Sequence, residues 1–141
     1  TVAQAMSGIV YAAEKKQIGV SVDCPENLTV AHDSKWTAEA IFNLLDNAVK
    51  YTPAGGKITV TIEEWEMYAE IKVADTGKGI SERNQAAIFR RFYREEEIHE
   101  QPGVGIGLYL AREIVTKQGG YIKVVSELGN GSAFSIMLPL R

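Results

Sequence analysis

Asn43 and Asn47 stand four residues apart, and Lys50 and Tyr51 follow Asn47 at three and four. On a helix this spacing lines up two amides, an ammonium and a phenol on one face. Ile41, Leu44, Leu45 and Ala48 supply apolar packing on the same helix. An Asn oxygen is a hard ligand suited to Mg²⁺, and a lysine can reach a phosphate. The stripe could therefore hold a polar ligand along the helix. Taken alone, it reads more readily as a solvated face with an Asp46–Lys50 pair. A second group is Asp75-Thr76-Gly77-Lys78-Gly79-Ile80. The alternation before it puts Asp75 on the face of Ala69, Ile71 and Val73, the core face. A carboxylate there needs a donor, and an adenine amino group is one. Gly77 and Gly79 would let the backbone approach a flat base, although an ordinary Asp-Gly turn fits these residues equally well.

Gly103-Val104-Gly105-Ile106-Gly107-Leu108 opens a helical pattern. Glycines before a helix N-terminus expose N–H groups to phosphate. No strand immediately precedes this run and no Gly-Lys-Ser/Thr follows it, so it is neither a dinucleotide fingerprint nor a P-loop. Gly129-Asn130-Gly131-Ser132 lies between two strands and alone reads as a hairpin turn.

The elements that must position these groups follow from periodicity. Val2, Ala5, Met6, Ile9, Val10 and Ala13 predict an amphipathic helix over residues 1–17, with Gly19 as its stop. Val20 and Val22 mark a short strand, Pro25-Glu26-Asn27 a turn, and 28–31 a second short strand. A helix capped at Asp33 or Ser34 runs to about Tyr51, ahead of Pro53. Two alternating strands, 58–63 and 69–73, meet at a turn at Glu66-Met67. Residues 76–107 are rich in glycine and charge, with one short helix at 82–89. A helix from Leu108 closes at Gly119-Gly120, and strands at 121–126 and 133–138 end the chain. Helices alternating with half-apolar strands predict a two-layer α/β sandwich, a mixed sheet with helices on one face.

Bulk properties narrow the classes of function. At 141 residues and 45% hydrophobic, the chain suits a single folded domain. The net charge of −3 argues against nucleic acid or anionic lipid as a partner, so an anionic ligand must be gripped locally. The single cysteine, Cys24, excludes an intramolecular disulfide. The sequence contains neither a run of membrane-helix length nor a signal peptide. Opening at Thr1 without a Met, the chain reads as a piece of a longer protein whose other parts could carry membrane segments.

In order and spacing, these pieces resemble the nucleotide-binding boxes of the family that unites histidine kinases, Hsp90, type II topoisomerases and MutL. Asn43 to Lys50 is similar to the N box. Asp75–Gly79, Gly103–Leu108 and Gly129–Phe134 are similar to the three glycine boxes. Phe89-Arg90-Arg91-Phe92-Tyr93-Arg94 resembles the F box of the histidine kinase branch. The resemblance covers nearly the whole chain and implies a Bergerat-type ATP-binding fold over residues 1–141, with 1–17 a helix continuing from an upstream dimerisation region. It implies that Asn47 binds Mg²⁺ with Asn43 polar beside it, that Lys50 faces the phosphates, and that Tyr51 lies near base or sugar. Asp75 would read the adenine amino group, with Gly77, Gly79 and Ile80 beside it. Gly103, Gly105 and Gly107 would shape a mobile lid and present N–H groups to the phosphates, with Leu108 also among the nucleotide-binding positions. Tyr93 and Arg94 would reach the nucleotide from the start of that lid, and Ser132 would supply a small hydroxyl near the base.

The same resemblance implies the reaction, transfer of the γ-phosphoryl group of ATP to a histidine. Asn47, Lys50 and Arg94 would position and neutralise that group. ATP-hydrolysing relatives carry a Glu, as general base, at the position of Asn43. An amide cannot take that proton, so hydrolysis should be slow. His32 and His99 lack the helical setting of a phosphoacceptor, which places the acceptor on the upstream dimerisation domain. The implied partners are that domain and a response regulator receiver domain, within a homodimer whose cytoplasmic kinase part is attached to the plasma membrane. Two rivals stay open: a serine kinase of the anti-sigma type, opposed by the F box, and a non-enzymatic ATP-sensing module. The acidic stretch 95–100 has no functional reading.

Overall fold

The computed structural model describes residues 2–23, 34–77, 107–127 and 129–140. Among the described residues four helices, α1 (Val2–Ser7), α2 (Val10–Lys15), α3 (Ser34–Tyr51) and α4 (Gly107–Lys117), accompany five strands, β1 (Gly19–Asp23), β2 (Lys57–Glu64), β3 (Tyr68–Asp75), β4 (Tyr121–Glu127) and β5 (Gly131–Pro139). The sheet order is β1-β2-β3-β5-β4. β1 runs parallel to β2, and every other pairing is antiparallel. The sheet is therefore mixed, as the alternation predicts. Ile58, Val60, Ile71, Val73, Phe134 and Ile136 form one buried cluster with Ala5, Ile9 and Ala13 of the first helices, Leu44 and Leu45 of α3, and Ala111 and Val115 of α4. All the described helices thus cover one face.

Two expectations need correction. The first helix is not continuous over 1–17. It breaks between Ser7 and Val10, where Gly8 N–H and Ile9 N–H donate to carbonyls three residues back. A Cβ at Gly8 would stand 3.0 Å from the Phe42 ring, so the residue that lets α1 approach α3 also weakens the helix there. The stop is also not Gly19. Gln17 takes the left-handed conformation at φ 62°, and Ile18 N–H donates to Ala13 O at 2.9 Å. This closure fixes Gln17 as the turning residue and buries Ile18, while Gly19 already belongs to β1. The β2–β3 hairpin turns at Glu66-Met67 as expected, closed by Trp65 N–H to Tyr68 O at 2.8 Å. The expected strand at 28–31, helix at 82–89 and cap at Asp33 lie outside the described residues.

The face of the sheet opposite the helices buries, among the described residues, the carboxylate of Glu70. Glu70 accepts bonds from the Ser135 hydroxyl and the Trp65 indole N–H. Burial pushes its carboxyl up, but those two bonds and the Lys72 and Lys123 charges together hold it below the ordinary range. A depressed pKa contributes stability above the unfolded value that is lost as pH falls through the folded one. Glu70→Gln should therefore cost about 1 kcal/mol at neutral pH. Urea unfolding of both forms should converge on acidification; a constant difference across pH would contradict the charged role.

Candidate nucleotide-binding site

The site lies where the C-terminal end of α3 meets the β3 exit and the β4–β5 turn. The polar stripe forms as predicted on α3, whose 18 residues end one residue before Thr52 and two before Pro53. Asn43, Asn47, Lys50 and Tyr51 are half-buried along it. Asn43 Nδ2 is buried without a hydrogen-bond partner among the described residues, as is Thr52 Oγ1. Unpartnered buried polar atoms are costly, and they mark where a ligand or water would be satisfied. Lys50 Nζ pairs with Asp46 Oδ2 at 2.9 Å, the bland expectation for this face. Such an i,i+4 pair contributes only about 0.3–0.5 kcal/mol, so the ammonium can exchange it for a phosphate.

Asp75 ends β3, facing Ile58 of β2 and Ser132 of β5. Its side chain is buried on the core face, as predicted. Oδ1 accepts Gly77 N–H at 2.9 Å and Ser132 N–H at 3.3 Å. No partner of Oδ2 occurs among the described residues. Burial pushes the carboxyl above its ordinary range, against the opposing pull of those two backbone bonds. An acceptor held in low-dielectric surroundings with one oxygen anchored suits a donor from outside. Gly77 is required there, because a Cβ would lie 2.5 Å from Tyr51 O and 3.0 Å from Asp75 Oδ1. Thr76 ties this exit to the sheet by N–H to Lys57 O at 3.1 Å, while its Oγ1 accepts Lys57 N–H at 2.9 Å.

The β4–β5 turn completes the wall. Ser132 Oγ lies 2.8 Å from Ser126 Oγ, which also bonds Gly131 O. Lys16, Lys50, Tyr51, Thr52, Pro53, Thr76, Gly77 and Gly129 line one open cavity of about 400 Å³. A larger hollow of about 590 Å³ lies between α3 and α4, lined by Trp36, Leu110 and Ile114 among others, and contains none of the predicted residues. The smaller cavity is the candidate because the convergent polar groups are there.

The structure thus brings Lys50, Tyr51 and Gly77 together around one cavity, with Asp75 and Ser132 joined behind Gly77. Gly107 opens α4, whereas the side chain of Leu108 is buried in the core and serves packing. Gly79, Ile80, Tyr93, Arg94, Gly103 and Gly105 lie outside the described residues, as do His32 and His99. Lys16 and Thr52 line the cavity and were not singled out in the sequence; a lone lysine at a helix end and a threonine before proline carry no signal of their own. Among the described residues no group of three or more His, Cys, Asp or Glu could hold a metal. A Mg²⁺ carried by phosphates and held through one amide oxygen, that of Asn47, fits such a donor set.

Residues 32–141 match the family model described as histidine kinase-, DNA gyrase B-, and HSP90-like ATPase. The adaptive-response sensory kinase SasA of Synechococcus sp. (strain JA-3-3Ab) is 43% identical over 129 residues, covering 90% of this chain and 34% of that protein. The signal transduction histidine-protein kinase/phosphatase MprB of Mycobacterium sp. (strain KMS) is 40% identical over 114 residues, 77% of this chain and 22% of the relative. The chain therefore spans about a third or less of the length of these relatives. The solved mycobacterial sensor histidine kinase MprB superposes with TM-score 0.83 at 29% identity, covering 99% of this chain and 95% of the other. Full-length ShkA, solved in complex with AMPPNP, gives 0.86 at 28% identity over 98% of this chain and 29% of the other. Among the described residues no helix is long and apolar enough to cross a membrane.

Proposed function

This chain belongs to the histidine kinase-, DNA gyrase B-, and HSP90-like ATPase family, and from that membership we propose that residues 1–141 form one ATP-binding domain that binds Mg-ATP and donates its γ-phosphoryl group to a histidine on a separate dimerisation domain. The observation that carries the proposal is Asp75, a buried carboxylate with Oδ1 anchored by two backbone N–H groups, one of them that of Gly77, which lines the α3 cavity. Asp75 reads the adenine amino group, with Gly77, Gly79 and Ile80 beneath the base and Ser132 behind it. Asn43, Asn47, Lys50 and Tyr51 line the path of sugar and phosphates, and Asn47 supplies the protein ligand to Mg²⁺. Tyr93 and Arg94 stand at the start of the lid that Gly103, Gly105 and Gly107 shape, and Arg94 joins Asn47 and Lys50 in neutralising the transferred group.

Mg²⁺ offsets charge on the phosphates; the protein's own share is orientation, since a neutral imidazole is already a nucleophile. The partners are the protein's own upstream dimerisation domain and a response regulator receiver domain. The whole protein is a homodimer attached to the plasma membrane with this domain in the cytoplasm. Two of the named relatives are kinases by title, and this similarity favours transfer over a purely ATP-sensing role.

Calorimetric titration of this chain with ATP in Mg²⁺ tests the proposal, and binding of ATP in preference to GTP is the expected outcome. The same titration examines Asn47. Asn47→Asp adds a carboxylate beside the phosphates, so nucleotide affinity without metal should fall and its dependence on Mg²⁺ should steepen. Superimposable Mg²⁺ dependences for the two forms would remove Asn47 from the metal site.

A further inference from the structure

Lys16 lies thirty-three residues before Val49 in sequence, yet its ammonium is seated on the end of the N-box-like helix. Lys16 Nζ donates to Val49 O at 2.8 Å and to Lys50 O at 3.1 Å. The last carbonyls of a helix have no partner within it. In α3 the shortage is specific: the helical donor for Val49 O would be the N–H of residue 53, and residue 53 is Pro, which has none. Lys16 supplies the missing donor, and a cation is favoured at a helix C-terminus by the macrodipole. The two turns around it are bound to one another as well, through Gly55 N–H to Gln17 O at 2.9 Å and Gly19 N–H to Gly56 O at 3.1 Å. Gln17 adopts its left-handed conformation at this junction. Desolvation lowers the Lys16 pKa, consistent with an ammonium withdrawn from solvent onto the helix end.

The held turn leads into the base subsite. The carbonyl of Tyr51, next after Lys50, abuts Gly77 so closely that a Cβ at Gly77 would stand 2.5 Å from it. Gly77 N–H in turn fixes Asp75 Oδ1 at 2.9 Å. We propose that Lys16 is a positioning residue for adenine recognition, acting through the C-terminal turn of α3 and Gly77 on the aim of Asp75. This rests on the nucleotide reading of the site. The alternative, direct attraction of phosphate by an ammonium that also lines the cavity, makes different predictions.

The test compares the parent chain with Lys16→Met, Lys16→Arg and Lys16→Gln, titrated with ATP and with adenosine well below each melting midpoint. Lys16→Met should weaken both ligands by a similar factor, about tenfold, equal to 1.4 kcal/mol. Lys16→Arg, which can reach the same two carbonyls, should recover most of the loss. In an Asp75→Asn background the Lys16→Met effect should shrink to less than about twofold, because the group being aimed is gone. A loss confined to ATP would assign Lys16 to the phosphates and overturn the proposal. Unchanged adenosine affinity, or full additivity with Asp75→Asn, would overturn it too. If Lys16→Met does not fold, Lys16→Gln, a shorter neutral donor, carries the same comparison. A parent chain that bound neither ligand would overturn the nucleotide reading and this inference together, whereas a parent that binds and a Lys16→Met that binds equally defeats the inference alone.

Discussion

Replacing Asp75 by Asn should weaken ATP binding about 10- to 100-fold, the loss of a charge-assisted bond of roughly 1.5–3 kcal/mol, without destabilising the free fold. The two effects separate for a physical reason. The amide oxygen of Asn can still accept Gly77 N–H and Ser132 N–H, the bonds that Asp75 Oδ1 makes now. The amide nitrogen then takes the place of Oδ2 and presents a donor to the adenine amino group, itself a donor. Stability follows the pKa. Burial holds the Asp75 carboxyl above its ordinary range, so the folded state binds this proton more tightly than the unfolded state. Linkage then makes the folded state lose stability as pH rises from the ordinary aspartate range through the folded value. At neutral pH the ionised group is therefore a cost, and the neutral Asn removes it. Calorimetry and thermal melts on one preparation decide the matter. Unchanged affinity would end the adenine assignment, and a large drop in melting temperature would show that Asp75 is structural.

Gly131→Ala should be among the most destabilising single-methyl changes in the chain, by about 2–4 kcal/mol. Gly131 has φ 88°, where L side chains are strained, and a Cβ there would stand 2.1 Å from Asp75 O. The obstruction is backbone, so nothing flexible can step aside; the β3 and β5 ends must part where Ser132 N–H meets Asp75. Nucleotide affinity should fall with stability, because the wall behind Asp75 moves. Gly129→Ala is the control. Its φ is 86°, nearly the same, but nothing lies within 4 Å of the added Cβ. It should cost only the conformational term, about 1–2 kcal/mol. Urea midpoints that were equal for the two variants would show that close approach at Gly131 contributes nothing.

Periodicity explains what was legible in the sequence. Ile58, Val60 and Ile62 alternate because β2 has one buried face, so the strand and its hairpin with β3 could be read locally. The polar stripe on α3 and the core-facing place of Asp75 were legible for the same reason. Two features were not, because each depends on packing that a local period does not show. Gly8 breaks the first helix against Phe42, and Gln17 rather than Gly19 takes the left-handed position because closure there buries Ile18. The parallel pairing of β1 with β2 is likewise a long-range contact without a local signature. Lys16 was missed because its importance comes from the missing N–H of Pro53, visible only once the two helix ends meet. Leu108, the last position of its glycine box, has its side chain in the core, where the apolar period of α4 already placed it.

As proposed, this chain binds Mg-ATP and hands its γ-phosphoryl group to a histidine elsewhere. The direct measurement is incubation with γ-labelled ATP and Mg²⁺, with and without the dimerisation domain of its own full-length protein added as a separate polypeptide. Slow hydrolysis and no label on the chain alone are the expected results. Asn43 offers no general base, a loss that typically slows a reaction about 10²–10⁴-fold, and neither His32 nor His99 stands in the sequence context expected of an acceptor. With the second polypeptide present, acid-labile label should accumulate on that polypeptide, weakly, since tethering normally supplies an effective concentration of about millimolar. Acid-labile label on the chain alone that disappears on substituting His32 or His99, or a dimerisation domain that stays unlabelled while the chain holds ATP, would contradict the proposal.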